Sequence, residues 1–205
     1  MLVDYFDLPA IAPHAARNDP GIGMCHLPYS EGIAERQDFL HGVYLLRDLR
    51  DIVVSYFHHA QRADFRDPTA GIPNCEFDTI EEFYFDWFLP RVVPFHRIPT
   101  HADEYAQRSL PVVRYEKLYE NPVLELRRLL RRLGLSSEDA RIFDVVEKNR
   151  IDRLQKTGRQ LDVYVPPAHF RRGGHGGFKE ELSDRVLRHI SLAFGEMLLR
   201  WGYEP

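Results

Sequence analysis

The chain has 205 residues, 44% hydrophobic, 12% aromatic and 28% charged, which excludes wholesale disorder and lets one domain bury a core without disulfide or metal support. A net charge of −4 with histidine neutral argues against general nucleic-acid binding, which calls for an excess of positive charge on one face. No apolar run approaches the length of a membrane span, and the first twenty residues lack a basic leader followed by an apolar block. Cys25 and Cys75 make neither a disulfide framework nor metal-ligand spacing, so the expectation is a cytoplasmic protein with two reduced thiols and no metal.

In chain order, GVYLLR at 42–47 is a short apolar run, and DIVVSYFHHAQRAD after it repeats Ile52, Val53, Tyr56 and Phe57 at helical spacing. Strand, tight turn and helix follow from that pattern. Thr79 and Glu82 spell a capping box before IEEFYFDWFL, an aromatic-rich helix that Pro90 is expected to close. LPVVRY at 110–115 reads as a second buried strand. The next helix opens near Pro122, buries Leu126, Leu129, Leu130 and Leu133, and ends at Gly134. Its stripe of Arg127, Arg128, Arg131 and Arg132 is expected to face solvent. Ser136 and Asp139 offer a start for a helix ending near Asn149, and Ser183 caps the last helix, whose inner face includes Val186, Ile190, Phe194 and Leu198. From 157 to 179 the chain is too polar and glycine-rich for a regular element. A buried strand followed by a helix, twice, gives an α/β fold with a parallel sheet, and no linker or repeat divides the chain, so 1–205 reads as a single domain.

Ligands of open parallel sheets bind beyond the carboxyl ends of the strands. Arg47 occupies such an end, with Ser55 about two turns into the following helix. A guanidinium fork and a hydroxyl suit a phosphate, yet Arg47 reads equally well as a partner of Asp48 or Asp51. Tyr115, at the end of the second strand, offers a ring to a ligand or to the core. In HFRRGGHGGFK, Arg171, Arg172 and the glycines after them either wrap an anion with side-chain and backbone donors or form a solvated loop. His26 lies in a loop beside Cys25; surface histidine is the commoner reading, with a general base the alternative.

Taken in order, MCHLPY at 24–29, LLRDLRDIVVSYFHH at 45–59, VVRYEKLYENP at 112–122 and HFRRGGHGGFK at 169–179 resemble the cytosolic-type sulfotransferases, enzymes that use 3′-phosphoadenosine-5′-phosphosulfate (PAPS). TGRQ at 157–160 looks like a segment common in bacterial members. The resemblance implies a P-loop-NTPase-like parallel sheet flanked by helices. It makes Arg47 and Ser55 binders of the nucleotide 3′-phosphate and puts Tyr115 by the adenine. It also makes Arg171, Arg172 and Gly173 the element closing over that phosphate, and His26 the catalytic base. The implied reaction moves a sulfuryl group from PAPS to a hydroxyl or amine of a small acceptor such as a phenol, alcohol or amine, with no metal.

The family's first strand and its Pro-Lys-Ser-Gly-Thr-like loop, which cradles the 5′-phosphosulfate, find no counterpart in the 25 residues before His26. Met24 stands where the family usually has lysine, Arg172 replaces the usual Lys, and Gly176, Gly177 and Phe178 stand for Gly-Asp-Trp. The expectation is therefore an N-terminally shortened sulfotransferase, or one whose loop comes from a partner chain. The alternative is a non-catalytic nucleotide-binding or scaffold member of the same fold. An open sheet edge favours a homo-oligomer.

Overall fold

The computed structural model describes residues 10–11, 22–23, 42–61, 77–160, 164–165, 167 and 170–205. Strands β1 (Ala10–Ile11) and β2 (Ile22–Gly23) pair in parallel, Ala10 opposite Ile22 and Ile11 opposite Gly23. Both precede His26, in the stretch that does not read as a strand, glycine loop and helix; two-residue strands are too short to show the alternation by which a strand is read. The apolar run forms β3 (Tyr44–Leu46).

Asp48 caps α1 (Leu49–Ala60), accepting from the backbone N–H of Arg50, and the predicted spacing buries Val53 and leaves Ile52, Tyr56 and Phe57 half-buried. The Thr79–Glu82 capping box is present in full at the start of α2 (Ile80–Glu82). The helix then widens into a π-helical segment, Phe83–Val92, and runs on as α3 (Val93–Phe95). Pro90 therefore does not close it. In an α-helix the proline ring strikes the carbonyl four residues back, whereas the wider turn, seen where Val93 N–H donates to Phe88 O, relieves that clash. Helix α4 (Ile98–Ala106) follows.

Strand β4 (Val112–Arg114) pairs with β3, Tyr44 N–H donating to Pro111 O at 2.9 Å. It ends one residue before Tyr115, which starts α5 (Tyr115–Glu120) instead of closing the strand. Helix α6 (Pro122–Arg132) begins and ends as predicted, with Gly134 at φ 69° just beyond it. Helix α7 (Asp139–Lys148) takes Glu138 as its N-cap with no side-chain bond, so the start offered by Ser136 is not used. After α8 (Ile151–Thr157), the stretch whose composition predicts no regular element holds an antiparallel pair, β5 (Arg159–Gln160) and β6 (Tyr164–Val165). Backbone pairing this short needs no apolar pattern. The chain ends in α9 (Phe178–Glu181) and α10 (Asp184–Arg200), the latter capped by Ser183.

Two compact units result: Met1–Leu45 with Ser109–Gly173, and Leu46–Arg108 with Gly174–Pro205. The first has a core of Leu126, Leu130, Ile142 and Val145, the inward faces of α6 and α7. The second packs α10 on α1 and α4, and α1 on the π-helical segment. Its core joins Val53, Val186, Ile190 and Leu198 to the buried rings of Phe83, Tyr84, Trp87 and Phe88. Burial drives the Tyr84 hydroxyl well above the usual tyrosine range, and that hydroxyl bonds His189 Nδ1 at 2.9 Å.

Candidate functional site

In the second unit, the turn between β3 and α1 is held by Arg50, whose Nε and Nη2 reach Asp48 at 2.9 and 2.7 Å. That turn sets Arg47, half-buried, at the end of β3, with Nη2 3.5 Å from the carbonyl of Gly174. Ser55 lies half-buried on α1, and its hydroxyl engages no described residue. The glycine-rich run passes over the start of α1. Gly174 and Gly176 adopt φ of 83° and 79°, a region open to glycine and strained for other residues. Gly176 N–H donates to Asp51 Oδ2 at 2.7 Å and Phe178 N–H to Asp51 Oδ1 at 3.3 Å. The Arg50 guanidinium lies 4.3 Å from the centre of the Phe178 ring. Further along, Glu181 of α9 meets His58 Nε2.

In the first unit, Arg171 and Arg172 are exposed, and Gln155 of α8 donates to the Arg171 carbonyl. Gly173 has φ 63°, and a Cβ there would lie 2.7 Å from Ile151 Cγ1, so only glycine fits. Tyr115 is half-buried at the first position of α5, its ring 6.4 Å from that of Tyr119. A cavity of about 520 Å³ also opens in this unit between β4 and α6, lined by Arg114, Lys117, Arg128 and Arg132 among others; none of the predicted site residues lines it.

Among the predicted residues, then, Arg47 and Ser55 share the second unit with Gly174–Phe178, and Tyr115, Arg171, Arg172 and Gly173 belong to the first. His26 and Cys25 lie outside the described residues. Asp51 is the residue that reading by position undervalues. The sequence offers it as a possible partner for Arg47, and the structure gives its two oxygens to backbone N–H groups. Its place in the first turn of α1 is the only local signal, and that alone does not reveal burial. No group of three or more His, Cys, Asp or Glu able to hold a metal occurs among the described residues. No described helix is long and apolar enough to cross a membrane.

The arginine at the end of β3, α1 capped directly behind it and the glycine-rich strap over the start of α1 thus lie together in the second unit. The sulfotransferase domain matches residues 7–202, and the chain belongs to that family. Cytosolic sulfotransferase 3 of Arabidopsis thaliana is 25% identical over 205 residues, covering 91% of this chain and 63% of the relative. For cytosolic sulfotransferase 1 of the same plant the figures are 23% over 172 residues, 76% and 50%. The chain thus spans between half and two thirds of the length of these relatives. Among solved structures, the mouse sulfotransferase SULT7A1 complexed with PAP superposes with a TM-score of 0.69 at 17% identity, covering 87% of this chain and 65% of that one. Retinol dehydratase in a complex with retinol and PAP gives 0.67 at 20% identity, covering 90% and 55%. The fold is accordingly the P-loop-NTPase-like α/β fold of the sulfotransferases, as the ordered motifs imply.

Proposed function

We propose that this chain carries the donor half of a PAPS-dependent sulfotransferase. Arg47 and Ser55 bind the 3′-phosphate, Arg171, Arg172 and Gly173 close over it, and Tyr115 lies by the adenine. The observation that carries this reading is the meeting of Arg47 with the glycine-rich strap at the amino end of α1. Guanidinium, hydroxyl and backbone donors are what a dianionic phosphate needs. In the reaction, the acceptor oxygen or nitrogen attacks sulfur in line while the bond from sulfur to the 5′-phosphate oxygen breaks. His26 takes the acceptor proton, leaving a sulfated product and 3′-phosphoadenosine-5′-phosphate (PAP). The acceptor is a small phenol, alcohol or amine, no metal is called for, and the protein works in the cytoplasm, in keeping with relatives named cytosolic sulfotransferases.

Calorimetric titration with PAP, using 5′-AMP as the control, tests the donor site. Affinity that depends on the 3′-phosphate supports it, and equal affinity for both nucleotides, or none for either, overturns it. Transfer of labelled sulfate from PAPS to a panel of phenols, alcohols and amines, compared with His26→Ala, tests the chemistry. Binding of PAP with no turnover above that variant would place the chain with non-catalytic nucleotide binders of the same fold.

A further inference from the structure

Asp51 is 3% exposed, and a carboxylate is almost never buried that deeply without a partner. Its neighbour Asp48 is met by the Arg50 guanidinium, whereas no cation is paired with Asp51 among the described residues. Its charge is instead met by two N–H groups of a segment 125 and 127 residues away, Gly176 on Oδ2 and Phe178 on Oδ1, and by its place in the first turn of α1. One side chain thus ties both ends of a Gly-Gly-Phe step. That step begins three residues after Gly173, in the same glycine-rich run as Arg171 and Arg172. A strap with this much glycine loses more backbone entropy on ordering than any other composition, so it needs such a tie to stay in one conformation.

We propose that Asp51 is a positioning residue: its carboxylate latches the strap 174–178 onto α1, in the conformation that sets the Gly174 carbonyl at Arg47. Resting on the donor reading above, this makes the 3′-phosphate-dependent part of nucleotide affinity depend on a residue that touches no ligand. Asparagine at position 51 keeps one acceptor and turns an NH₂ toward the other N–H, so Asp51→Asn breaks half of the latch at nearly constant volume.

The test is amide hydrogen exchange on the nucleotide-free chain together with titration of PAP and 5′-AMP. In the wild type, Gly176 and Phe178 should exchange at least tenfold more slowly than the neighbouring Gly177; equal rates at all three would overturn the latch without any variant. In Asp51→Asn that protection should fall at least tenfold while the α1 amides keep theirs. PAP affinity should drop about tenfold, with 5′-AMP affinity within twofold of wild type. Unchanged protection, unchanged PAP affinity, or an equal loss for both nucleotides would each overturn the proposal. If wild type itself does not distinguish PAP from 5′-AMP, the donor reading falls, and with it the link to the 3′-phosphate, while amide exchange alone still decides the latch.

Discussion

Gly173 shows how much one residue can be held to. Its φ of 63° and the 2.7 Å approach of a built Cβ to Ile151 Cγ1 exclude any side chain, so Gly173→Ala should destabilise the chain by about 1–3 kcal/mol. Urea denaturation measures this directly. Arg47→Ala removes a charged donor from the proposed phosphate site, and loss of such contacts should weaken PAP about 30-fold, roughly 2 kcal/mol, with little effect on 5′-AMP. Titration of both nucleotides checks it. Tyr84 is fully buried, with its hydroxyl on His189, and its pKa in the folded chain lies above the unfolded value of about 10. The unfolded chain therefore releases this proton first. The contribution is complete below about pH 10 and is lost as pH rises beyond it. Stability should fall more steeply between about pH 9.5 and 11 in wild type than in Tyr84→Phe, as read by denaturation at each pH.

At the scale of elements, the termini were the legible parts. Thr79 with Glu82, Ser183 before α10 and Gly134 after α6 are local devices, each acting within three or four residues, and all three are found where the residues place them. Ser183 accepts from Val186 N–H and also donates to Glu81. Ser183→Ala should therefore cost about 1–2 kcal/mol, at the upper side for a cap; a thermal melt reads it. Glu81 is held below the usual carboxylate range by Ser183 and then by Arg185. Elements without a local device were harder to read. Pro90 reads as a stop, yet aromatic packing of Phe83, Trp87 and Phe88 around Tyr56 carries the helix past it in a widened form. Tyr115 reads as the end of a strand because apolar residues run up to it, but hydrogen bonding assigns it to α5.

For the whole molecule, the order of the motifs identifies the family and, through it, the fold. If PAP binds the folded chain alone, a concentration about 100-fold above its Kd should add about 2.7 kcal/mol. That corresponds to a rise in Tm of about 5–10 °C for a chain of this length, and 5′-AMP at the same concentration should give much less. Scanning calorimetry at matched nucleotide concentrations makes the comparison.

The sequence by itself determined the caps at Thr79 and Ser183, the stop at Gly134 and the apolar faces of α1, α6 and α10. All of these depend on residue chemistry or on neighbours a few positions away. Only the tertiary structure decided that Asp51 takes the N–H groups of Gly176 and Phe178, that Gly173 has no room for a side chain because of Ile151, and that Phe178 packs under Arg50. Each of these joins segments far apart in the chain, and such a contact leaves no periodic mark in the sequence, because what selects it is burial and the pairing of backbone groups cut off from water.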